Sequence, residues 1–279
     1  MKKIAITGAG GQLGKQFAAQ LAGGGYEVYA LNRKGMDVAN RKQVRAVLEK
    51  LVPDIVIHCA AYTKVDLAER NRDEAFLINA IGARNVAAAA ETVKAKLVYM
   101  STDYVFDGKK GAPYDEFDVA NPINVYGASK YAGEEMVRAF HSRYFIVRTS
   151  WLYGKYGNHF VGTMLRLARE APEIKVVHDQ AGAPTYAKDL AACVARVMET
   201  DAYGVYHVSN AGTCTWYEFA REIFRLHGVK VKLVPVSTGE FGAAAPRPPL
   251  SALEQFALRL NGFSPMRPWQ EALREYCMK

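Results

Sequence analysis

The sequence predicts an α/β fold in which a doubly wound parallel sheet carries a smaller α/β lobe. Short runs rich in β-branched residues alternate with amphipathic or alanine-rich runs over the first half of the chain. Such alternation is typical of parallel strands joined by right-handed helical crossovers. The chain has 279 residues, of which 50% are hydrophobic and 23% charged, so it is long enough for one large unit and a second lobe.

The predicted elements follow a regular order up to residue 150. The expected strands are KIAIT (3–7), YEVYAL (26–31), DIVIH (54–58), KLVYMS (96–101) and YFIVRTS (144–150), with helices at 12–22, 40–51, 71–92 and 126–140. Later elements are expected at 160–170, 174–199, 204–209, 216–227, 230–236 and 268–277, with a loop rich in Gly, Ala and Pro at 239–251. We therefore expect the large unit to comprise residues 1–150 and the lobe residues 151–279, with segments near 174–200 able to return to the sheet.

A glycine-rich turn, TGAGGQLG, connects the first predicted strand to the first helix. Gly8, Gly11 and Gly14 are spaced by three residues. A dinucleotide loop needs glycine at three positions. The first forms the tight turn, the second lets the backbone approach a pyrophosphate, and the third lets the helix pack closely on the strand. Free N–H groups at the helix N-terminus favour the phosphates. The placement of the motif predicts a Rossmann-type dinucleotide-binding domain in residues 1–150.

The tip of the second strand indicates which dinucleotide binds. An acidic residue there would bind the 2′-hydroxyl of the adenosine ribose, whereas arginine accommodates a 2′-phosphate. This chain has Asn32, Arg33 and Lys34, so NADPH is favoured and NADH stays open. The alternative is that Arg33 and Lys34 form a solvated turn. Asp37 and Val38 follow, and the carboxylate could lie beside the adenine amino group.

Tyr126 stands four residues before Lys130 in YGASK, so both side chains lie on one face of a helix. An ammonium about 4 Å from a phenol, at an effective dielectric near 20, is expected to lower the phenol pKa by about three units. Tyr126 would then suit general acid catalysis on a carbonyl oxygen, although such pairs also occur on helix surfaces. At the end of the fourth strand, Thr102 could hydrogen-bond the reacting carbonyl and Asp103 a substrate hydroxyl.

Several other classes of function are disfavoured. The net charge of +8 is spread evenly and no basic run exceeds two residues, which argues against nucleic-acid binding. No run of about 18 uncharged apolar residues predicts a membrane span, and MKKIAITGAGG is too short in apolar residues for a signal peptide. A cytoplasmic location is expected. The four cysteines form no CxxC or Cys/His cluster, so no metal site is predicted.

Longer motifs support a family resemblance. TGAGGQLG, HCAAYTKVD, NAIGARNV, STDYVF, YGASK and RTSWLYG, followed by DQAGAPT and APRPPLS, resemble in order and spacing the extended short-chain dehydrogenase/reductases and, among them, the dTDP-4-dehydrorhamnose reductase family. The resemblance implies NADPH- or NADH-dependent reduction of the 4-keto group of a dTDP-6-deoxyhexulose to dTDP-L-rhamnose, in nucleotide-sugar and polysaccharide biosynthesis.

The same resemblance assigns roles to individual residues. Tyr126 would donate the proton, with Lys130 and Thr102 in support. The implied cofactor-lining residues are Gly11, Gln12, Leu13, Asp37, Val38, Ala61, Tyr62, Thr63 and Met100. Thr102, Asp103 and Trp151 would contact the sugar nucleotide, and Arg247 its diphosphate. Some relatives place a metal at a dimer contact; no cluster for one is seen here, and a homodimer stays open.

Alternative functions also stay open on this scaffold. Sugar-nucleotide dehydratases carry an acid directly after the Thr-Asp pair, where this chain has Tyr104, so elimination is disfavoured relative to reduction. An epimerase of nucleotide sugars is another option. The scaffold also resembles the NADP-binding regulatory subunit of methionine adenosyltransferase, a partner protein without this activity. The presence of Thr102, Tyr126 and Lys130 favours an enzyme over this binding module.

Overall fold

The structure, a computed structural model, describes residues 1–278. The strands are β1 (Lys2–Thr7), β2 (Tyr26–Leu31), β3 (Ile55–His58), β4 (Lys96–Thr102), β5 (Tyr144–Thr149), β6 (Leu152–Tyr153), β7 (Glu173–Val177), β8 (Ala181–Gly182), β9 (Thr185–Tyr186), β10 (Gly204–His207), β11 (Cys214–Thr215) and β12 (Lys232–Val236). The helices are α1 (Gln12–Leu21), α2 (Arg41–Leu51), α3 (Val65–Ala68), α4 (Arg72–Phe76), α5 (Gly82–Thr92), α6 (Val125–Phe140), α7 (Phe160–Glu170), α8 (Ala187–Val197), α9 (Trp216–His227), α10 (Thr238–Phe241), α11 (Phe256–Leu260) and α12 (Trp269–Cys277).

The main sheet has six parallel strands in the order β10-β5-β4-β3-β1-β2. Helices α1 and α8 cover one face, where Phe17 and Leu190 are fully buried against the strands. Helices α2, α5 and α6 supply the core of the other face, with Val44, Val86 and Val137. Parallel strands that are covered on both faces appear in the sequence as continuous apolar runs. The helices on the two faces of this parallel sheet confirm the predicted doubly wound α/β class.

The main sheet also takes a strand from the second half of the chain. Strand β10 pairs with β5 along Gly204–His207, and α8 packs on α1. The segment expected to form a strand near 174–178 instead pairs with β12 in the lobe. The main sheet therefore extends beyond residues 1–150, because residues 204–207 form one of its edge strands.

The lobe has its own core and short strand pairs. Strands β7 and β12 pair in parallel, β8 pairs with β11 antiparallel, and β6 with β9 in parallel. Phe219 and Trp269 lie in the lobe's core, as expected for α9 and α12. Helix α9 begins at a capping box in which the hydroxyl of Thr215 accepts from the amide of Glu218, and it ends at Gly228 in the left-handed conformation.

The helix expected over 71–92 differs in its centre. The chain runs from α4 through a π-helical turn, Leu77–Ile81, into α5. Asn79 sits in this turn with 1% exposure. Its Oδ1 accepts from the amide of Tyr62 at 2.8 Å, and its Nδ2 donates to Oγ of Ser129 at 2.9 Å. A buried amide with these partners gives a physical reason for the extra residue in the turn.

Among residues 1–278, no helix combines the length and apolar character needed to cross a bilayer.

Candidate active site

The glycine loop lies where β1 gives way to α1. Gly8 has a φ of +64°, and a Cβ there would lie 2.6 Å from the backbone nitrogen of Ala60. A Cβ on Gly14 would lie 2.4 Å from the carbonyl oxygen of Gly8. Both positions therefore require glycine, one for its backbone conformation and both for space. The amide nitrogen of the Gln12 side chain is buried without a hydrogen-bond partner among the described residues, as expected for a group that meets a ligand.

The carboxyl ends of the main-sheet strands open into one cleft of about 690 Å³, which fits the volume of a small-molecule site. Most of the predicted site residues line it: Gly8, Gly11, Gln12, Leu13, Gly14, Asn32, Arg33, Asp37, Val38, Ala61, Thr63, Met100, Thr102, Asp103, Tyr126, Lys130 and Trp151. The glycine loop and the YGASK segment, more than 100 residues apart in sequence, thus border the same space.

Two of the predicted residues lie elsewhere. Tyr62 is buried beside the cleft, with its main chain bonded to Asn79 and its hydroxyl accepting from Asn71. Arg247 does not line the cleft either. Its guanidinium donates to both carboxylate oxygens of Asp66, at 2.5 and 2.9 Å, and this pairing holds the pKa of Asp66 near 2.

The tip of β2 presents one exposed cation to the cleft. The Arg33 side chain is 77% exposed, and its Nε lies 3.4 Å from Oδ2 of Asp37. The Asn32 side chain is exposed, and its Oδ1 accepts from the amide of Gly35 at 3.0 Å. Because Arg33 makes only this long, exposed contact among residues 1–278, its guanidinium is accessible to an anionic group in the cleft.

Helix α6 brings Tyr126 and Lys130 to the end of β4. The helix begins at Asn124, whose Oδ1 accepts from the amide of Gly127 at 2.7 Å. A Cβ on Gly127 would lie 2.0 Å from the carbonyl oxygen of Tyr104, so α6 packs directly on the chain that follows β4. This close approach places the first turns of α6 beside Thr102.

Lys130 is 2% exposed and is turned toward the sheet. Its Nζ donates to the carbonyl oxygen of Met100 at 2.6 Å and lies 4.1 Å from the centre of the Tyr99 ring. Burial lowers the pKa of Lys130 to about 7, against the opposing effects of Glu134 and Cys59. The ammonium is thus anchored to main chain and to an aromatic face.

The expectation that the pKa of Tyr126 is lowered by about three units is wrong. Burial raises the pKa of Tyr126 to about 12, the hydroxyl of Thr102 opposes that rise through a hydrogen bond, and the nearby Asp103 adds to it. Desolvation dominates because the phenol and the ammonium are both removed from water. Helical spacing gives the proximity of the two groups but not the loss of solvation that each of them undergoes.

The Thr102–Asp103 pair lies at the base of the cleft. The Thr102 hydroxyl donates to Oδ1 of Asp103 at 3.0 Å, and the Ser251 hydroxyl donates to Oδ2 at 2.6 Å. Burial raises the pKa of Asp103 to about 7, and the bonds from Ser251 and Thr102 lower it in part. The Ser251 contact ties the proline-rich loop of the lobe to the end of β4.

Trp151 follows β5 with a φ of +45°, which is a strained conformation for a bulky residue. Its indole stacks on Trp216, with ring centroids 3.4 Å apart and planes 8° apart. A Cβ on Gly182 would lie 2.7 Å from the same indole. Trp216 therefore holds Trp151, a residue of the cleft, in place. The sequence did not indicate this stacking.

Sequence reasoning missed other residues that line the cleft: Gly10, Met36, Cys59, Ala60, Ile78, Ser101, Thr149, Ser150, Leu152 and Asn158. Cys59, Ala60, Thr149 and Ser150 directly follow β3 or lie at the end of β5, so the rule that ligands sit at carboxyl ends of strands would have found them. Ile78 lies in the π-helical turn, and no sequence signal indicated it. Among residues 1–278, no group of three or more His, Cys, Asp or Glu side chains could hold a metal ion.

Comparisons with known proteins agree with this site. The family described as RmlD substrate binding domain matches residues 1–279. The spore coat polysaccharide biosynthesis protein SpsK of Bacillus subtilis is 47% identical over 99% of this chain and 97% of its own. A dTDP-4-dehydrorhamnose reductase of Mycobacterium tuberculosis is 40% identical over 98% of this chain and 91% of its own.

A solved structure extends the likeness to three dimensions. The crystal structure of dTDP-4-dehydrorhamnose reductase from Bacillus anthracis str. Ames in complex with NADP has a TM-score of 0.98 at 55% identity, and the match covers 99% of each chain. The matches span the sheet and the lobe alike, which confirms the resemblance carried by the motifs. The chain belongs to the dTDP-4-dehydrorhamnose reductase family, described as RmlD substrate binding domain.

Proposed function

We propose that this protein reduces the 4-keto group of dTDP-4-dehydro-6-deoxy-L-mannose to give dTDP-L-rhamnose, with NADPH as the reductant. The observation that carries this proposal is the meeting of Thr102, Tyr126 and Lys130 with the glycine loop in one cleft. Relatives at 40% and 55% identity bear the name of this reductase. We also propose that the enzyme acts in the cytoplasm.

The glycine loop fits a dinucleotide, because the space that any Cβ would fill at Gly8 and Gly14 is already taken by backbone. The amides of Gln12 and Leu13 at the start of α1 would hold the pyrophosphate, whereas the amide of Gly11 donates to the carbonyl oxygen of Gly8. Arg33 would hold the 2′-phosphate of the adenosine ribose. NADPH bound there supplies the hydride that reduces the ketone.

Tyr126 would donate the proton to the oxygen of that ketone. A donor must hold its proton at the working pH, and a pKa raised to about 12 keeps Tyr126 protonated. An alkoxide is roughly as basic as hydroxide, whose conjugate acid, water, has a pKa of about 15.7. Transfer from Tyr126 to the alkoxide is therefore downhill without any lowering of the phenol pKa.

Lys130 and Thr102 would stabilise the charge that moves in this step. The hydroxyl of Thr102 is within hydrogen-bond reach of the Tyr126 oxygen and favours its ionised form. After proton transfer it would turn its one proton from Asp103 to the tyrosinate and stabilise it. The Lys130 ammonium, fixed on the carbonyl of Met100, would add a positive charge on the same helix face. It would also hold the hydroxyls of the nicotinamide ribose.

Asp103 and Trp151 would orient the sugar. Asp103 is held at both oxygens by Thr102 and Ser251, and Trp151 is a rigid apolar surface because it stacks on Trp216. Arg247 remains our candidate for the substrate diphosphate. To act so, its guanidinium must exchange Asp66 for a phosphate group, and the pair is exposed enough on the Asp66 side, at 50%, to allow it.

Dehydration and a purely binding role fit the site less well. The position after Asp103 carries Tyr104, and burial raises its pKa well above the ordinary value, so it would not remove a proton from carbon at neutral pH. A binding module has no need of a buried lysine at the end of a dinucleotide cleft, because burial of an amine is costly.

The proton-donor role is tested with Tyr126→Phe. Turnover in NADPH oxidation with the keto sugar should fall by at least about 100-fold, the scale of a lost general acid, while NADPH affinity measured by fluorescence titration should change little. Tyr131→Phe is the matched control, because Tyr131 lies on the same helix and packs away from the cleft against Val105 and Phe106. Wild-type turnover in the Tyr126 variant would exclude the role.

A further inference from the structure

A third ionisable residue follows Tyr126 and Lys130 on α6 at the same spacing. Glu134 is four residues beyond Lys130, so the three side chains share one helix face. Glu134 has no solvent exposure at all. A fully buried carboxylate is costly unless it is paired and hydrogen-bonded, so its partners and its neighbours decide what it does.

Two strands of the sheet hold the Glu134 carboxylate. From β5, Arg148 donates through Nη2 to Oε2 at 2.7 Å and through Nε to Oε1 at 3.0 Å. From β4, the Ser101 hydroxyl donates to Oε1 at 2.5 Å. Arg138 on α6 lies further away, at 3.6 Å. A carboxylate that accepts three hydrogen bonds, two of them from one forked guanidinium, is held as a fixed negative charge.

Helical spacing places this fixed charge one turn beyond Lys130 on the same face of α6. Within the described residues, the ionisable groups around the Lys130 ammonium are Tyr126 and Glu134 on α6, Tyr99 on β4, and His58 and Cys59 at the end of β3. Of these, Glu134 makes the largest contribution that raises the pKa of Lys130, and Cys59 follows. His58 adds no charge beside the ammonium, because burial and Lys130 itself lower its pKa to about 3 and keep the imidazole neutral.

We propose that Glu134 is a positioning residue for the reduction, whose carboxylate, clamped by Arg148 and Ser101, keeps the Lys130 ammonium charged in a site that otherwise favours the neutral amine. The inference rests on the proposed function, because the proposed reduction requires a charged Lys130. Ser101 precedes Thr102, so the same carboxylate also fixes the strand end that carries the third active-site residue.

Titration of Lys130 tests the first part directly. In protein labelled with ¹³C and ¹⁵N at lysine, the Lys130 signal is assigned by its loss in Lys130→Met and followed against pH. Opposite charges about 8 Å apart, on residues whose Cβ atoms are separated by one helical turn, shift a pKa by about 1.5 units at an effective dielectric near 20. Glu134→Gln should therefore lower the Lys130 midpoint from about 7 by at least about one unit.

Glu135→Gln is the matched control. It makes the same change one residue along α6, but Glu135 is 48% exposed and paired with Arg138, so the Lys130 midpoint should not move. Glu134→Asp keeps the charge and should restore most of the wild-type midpoint. An unchanged midpoint in Glu134→Gln overturns the inference and leaves the proposed reductase untouched, because this readout needs no substrate.

The catalytic part is tested by the pH profile of kcat/KM. With the Lys130 midpoint lowered by one unit, its charged fraction at pH 7 falls from about one half to about one tenth, and kcat/KM should fall about fivefold, with recovery toward lower pH. A variant that only loosened the fold would lose activity without moving the profile. A moved Lys130 midpoint with an unmoved profile would overturn the positioning role.

The Arg148 charge left unpaired in Glu134→Gln could prevent folding. The double variant Glu134→Gln/Arg148→Gln removes both partners of this ion pair, so no unpaired guanidinium stays buried, and it gives the same readout. Its Lys130 midpoint should also lie below that of the wild type. Equality with the wild type in a folded double variant would overturn the inference.

Discussion

Replacement of Lys130 by methionine should stabilise the protein while it destroys activity. Lysine and methionine have similar length, and the side chain is 2% exposed, so the change removes a charge with little change of shape. The pKa of Lys130 is lowered from 10.5 to about 7. This difference means that the charged side chain costs the folded state up to about 5 kcal/mol below pH 7.

The expected gain is smaller than this ceiling, because methionine cannot donate to the Met100 carbonyl. An unsatisfied buried acceptor costs about 1–3 kcal/mol, so we expect Lys130→Met to be more stable than the wild type by about 2–4 kcal/mol at pH 6. Such a gain is typical of sites where function is kept at the expense of stability.

The dependence on pH has a definite sign. Between about pH 7 and pH 10.5 the unfolded chain holds the Lys130 proton and the folded chain does not, so wild-type stability rises with pH across this window and is lost as pH falls toward 7. Lys130→Met lacks this contribution. Its advantage over the wild type should therefore shrink by about 3 kcal/mol between pH 6 and pH 9.

Guanidinium unfolding followed by tryptophan fluorescence, at pH 6 and at pH 9, measures both quantities. Lys50→Met is the control, because Lys50 is exposed on α2 and its replacement should give no such pH dependence. NADPH oxidation and NADPH titration should show weaker cofactor binding and slower turnover in Lys130→Met. A variant less stable than wild type at both pH values, or an advantage independent of pH, would refute the reasoning from burial.

Three further changes probe other parts of the site. The folded wild type keeps the Asp103 carboxyl protonated to about pH 7, so its free energy of unfolding should fall by up to about 4 kcal/mol between about pH 4 and pH 7. Asp103→Asn should remove this fall, and equal slopes in unfolding titrations of both proteins would contradict the prediction. Arg33→Ala should weaken NADPH binding about tenfold or more and leave NADH binding unchanged, since a charge-assisted bond to phosphate contributes about 1.5–3 kcal/mol; an equal loss for both cofactors in fluorescence titrations would argue against 2′-phosphate recognition. Gly133→Ala should lower the melting temperature, because its Cβ would lie 2.1 Å from the Tyr99 hydroxyl oxygen and 2.3 Å from the Asn79 carbonyl oxygen; Gly162→Ala, with its nearest contact at 3.5 Å, serves as the control and should not.

The inner strands of the main sheet, β1, β3, β4 and β5, could be predicted from the sequence because they are buried on both faces. Runs such as DIVIH and KLVYMS are short, apolar and β-branched, and they lead into residues that border the cleft, Cys59 after the first run, Ser101 at the end of the second and Thr102 after it. Two strand pairs of the lobe, β6 with β9 and β8 with β11, were beyond prediction, because these strands have two residues each and carry no periodic signal. Their pairing depends on contacts made by the folded chain rather than on local propensity.

Most of the candidate site was also predictable, since the glycine loop and YGASK have fixed spacings and known contexts. Features that join distant parts of the chain were not. Arg247 pairs with Asp66 across 181 residues of sequence, and Ser251 reaches Asp103 across 148. The prediction of the Tyr126 pKa was wrong for a related reason. Spacing along a helix shows which groups are near each other, whereas desolvation depends on everything packed around them.

Helix α6 indicates why a tyrosine and a lysine four residues apart can act as one unit here. The pair alone would be a common surface feature. Gly127 and Gly133 let α6 pack on the Tyr104 carbonyl and the Tyr99 hydroxyl at distances that no Cβ could share, and this close packing removes Lys130 from water. The charge of Lys130 then needs a counter-charge within the sheet interface, and Glu134 supplies it. Burial that makes the ammonium costly also makes its field strong, so the two glycines, by admitting the helix, determine how strongly Lys130 can act on Tyr126.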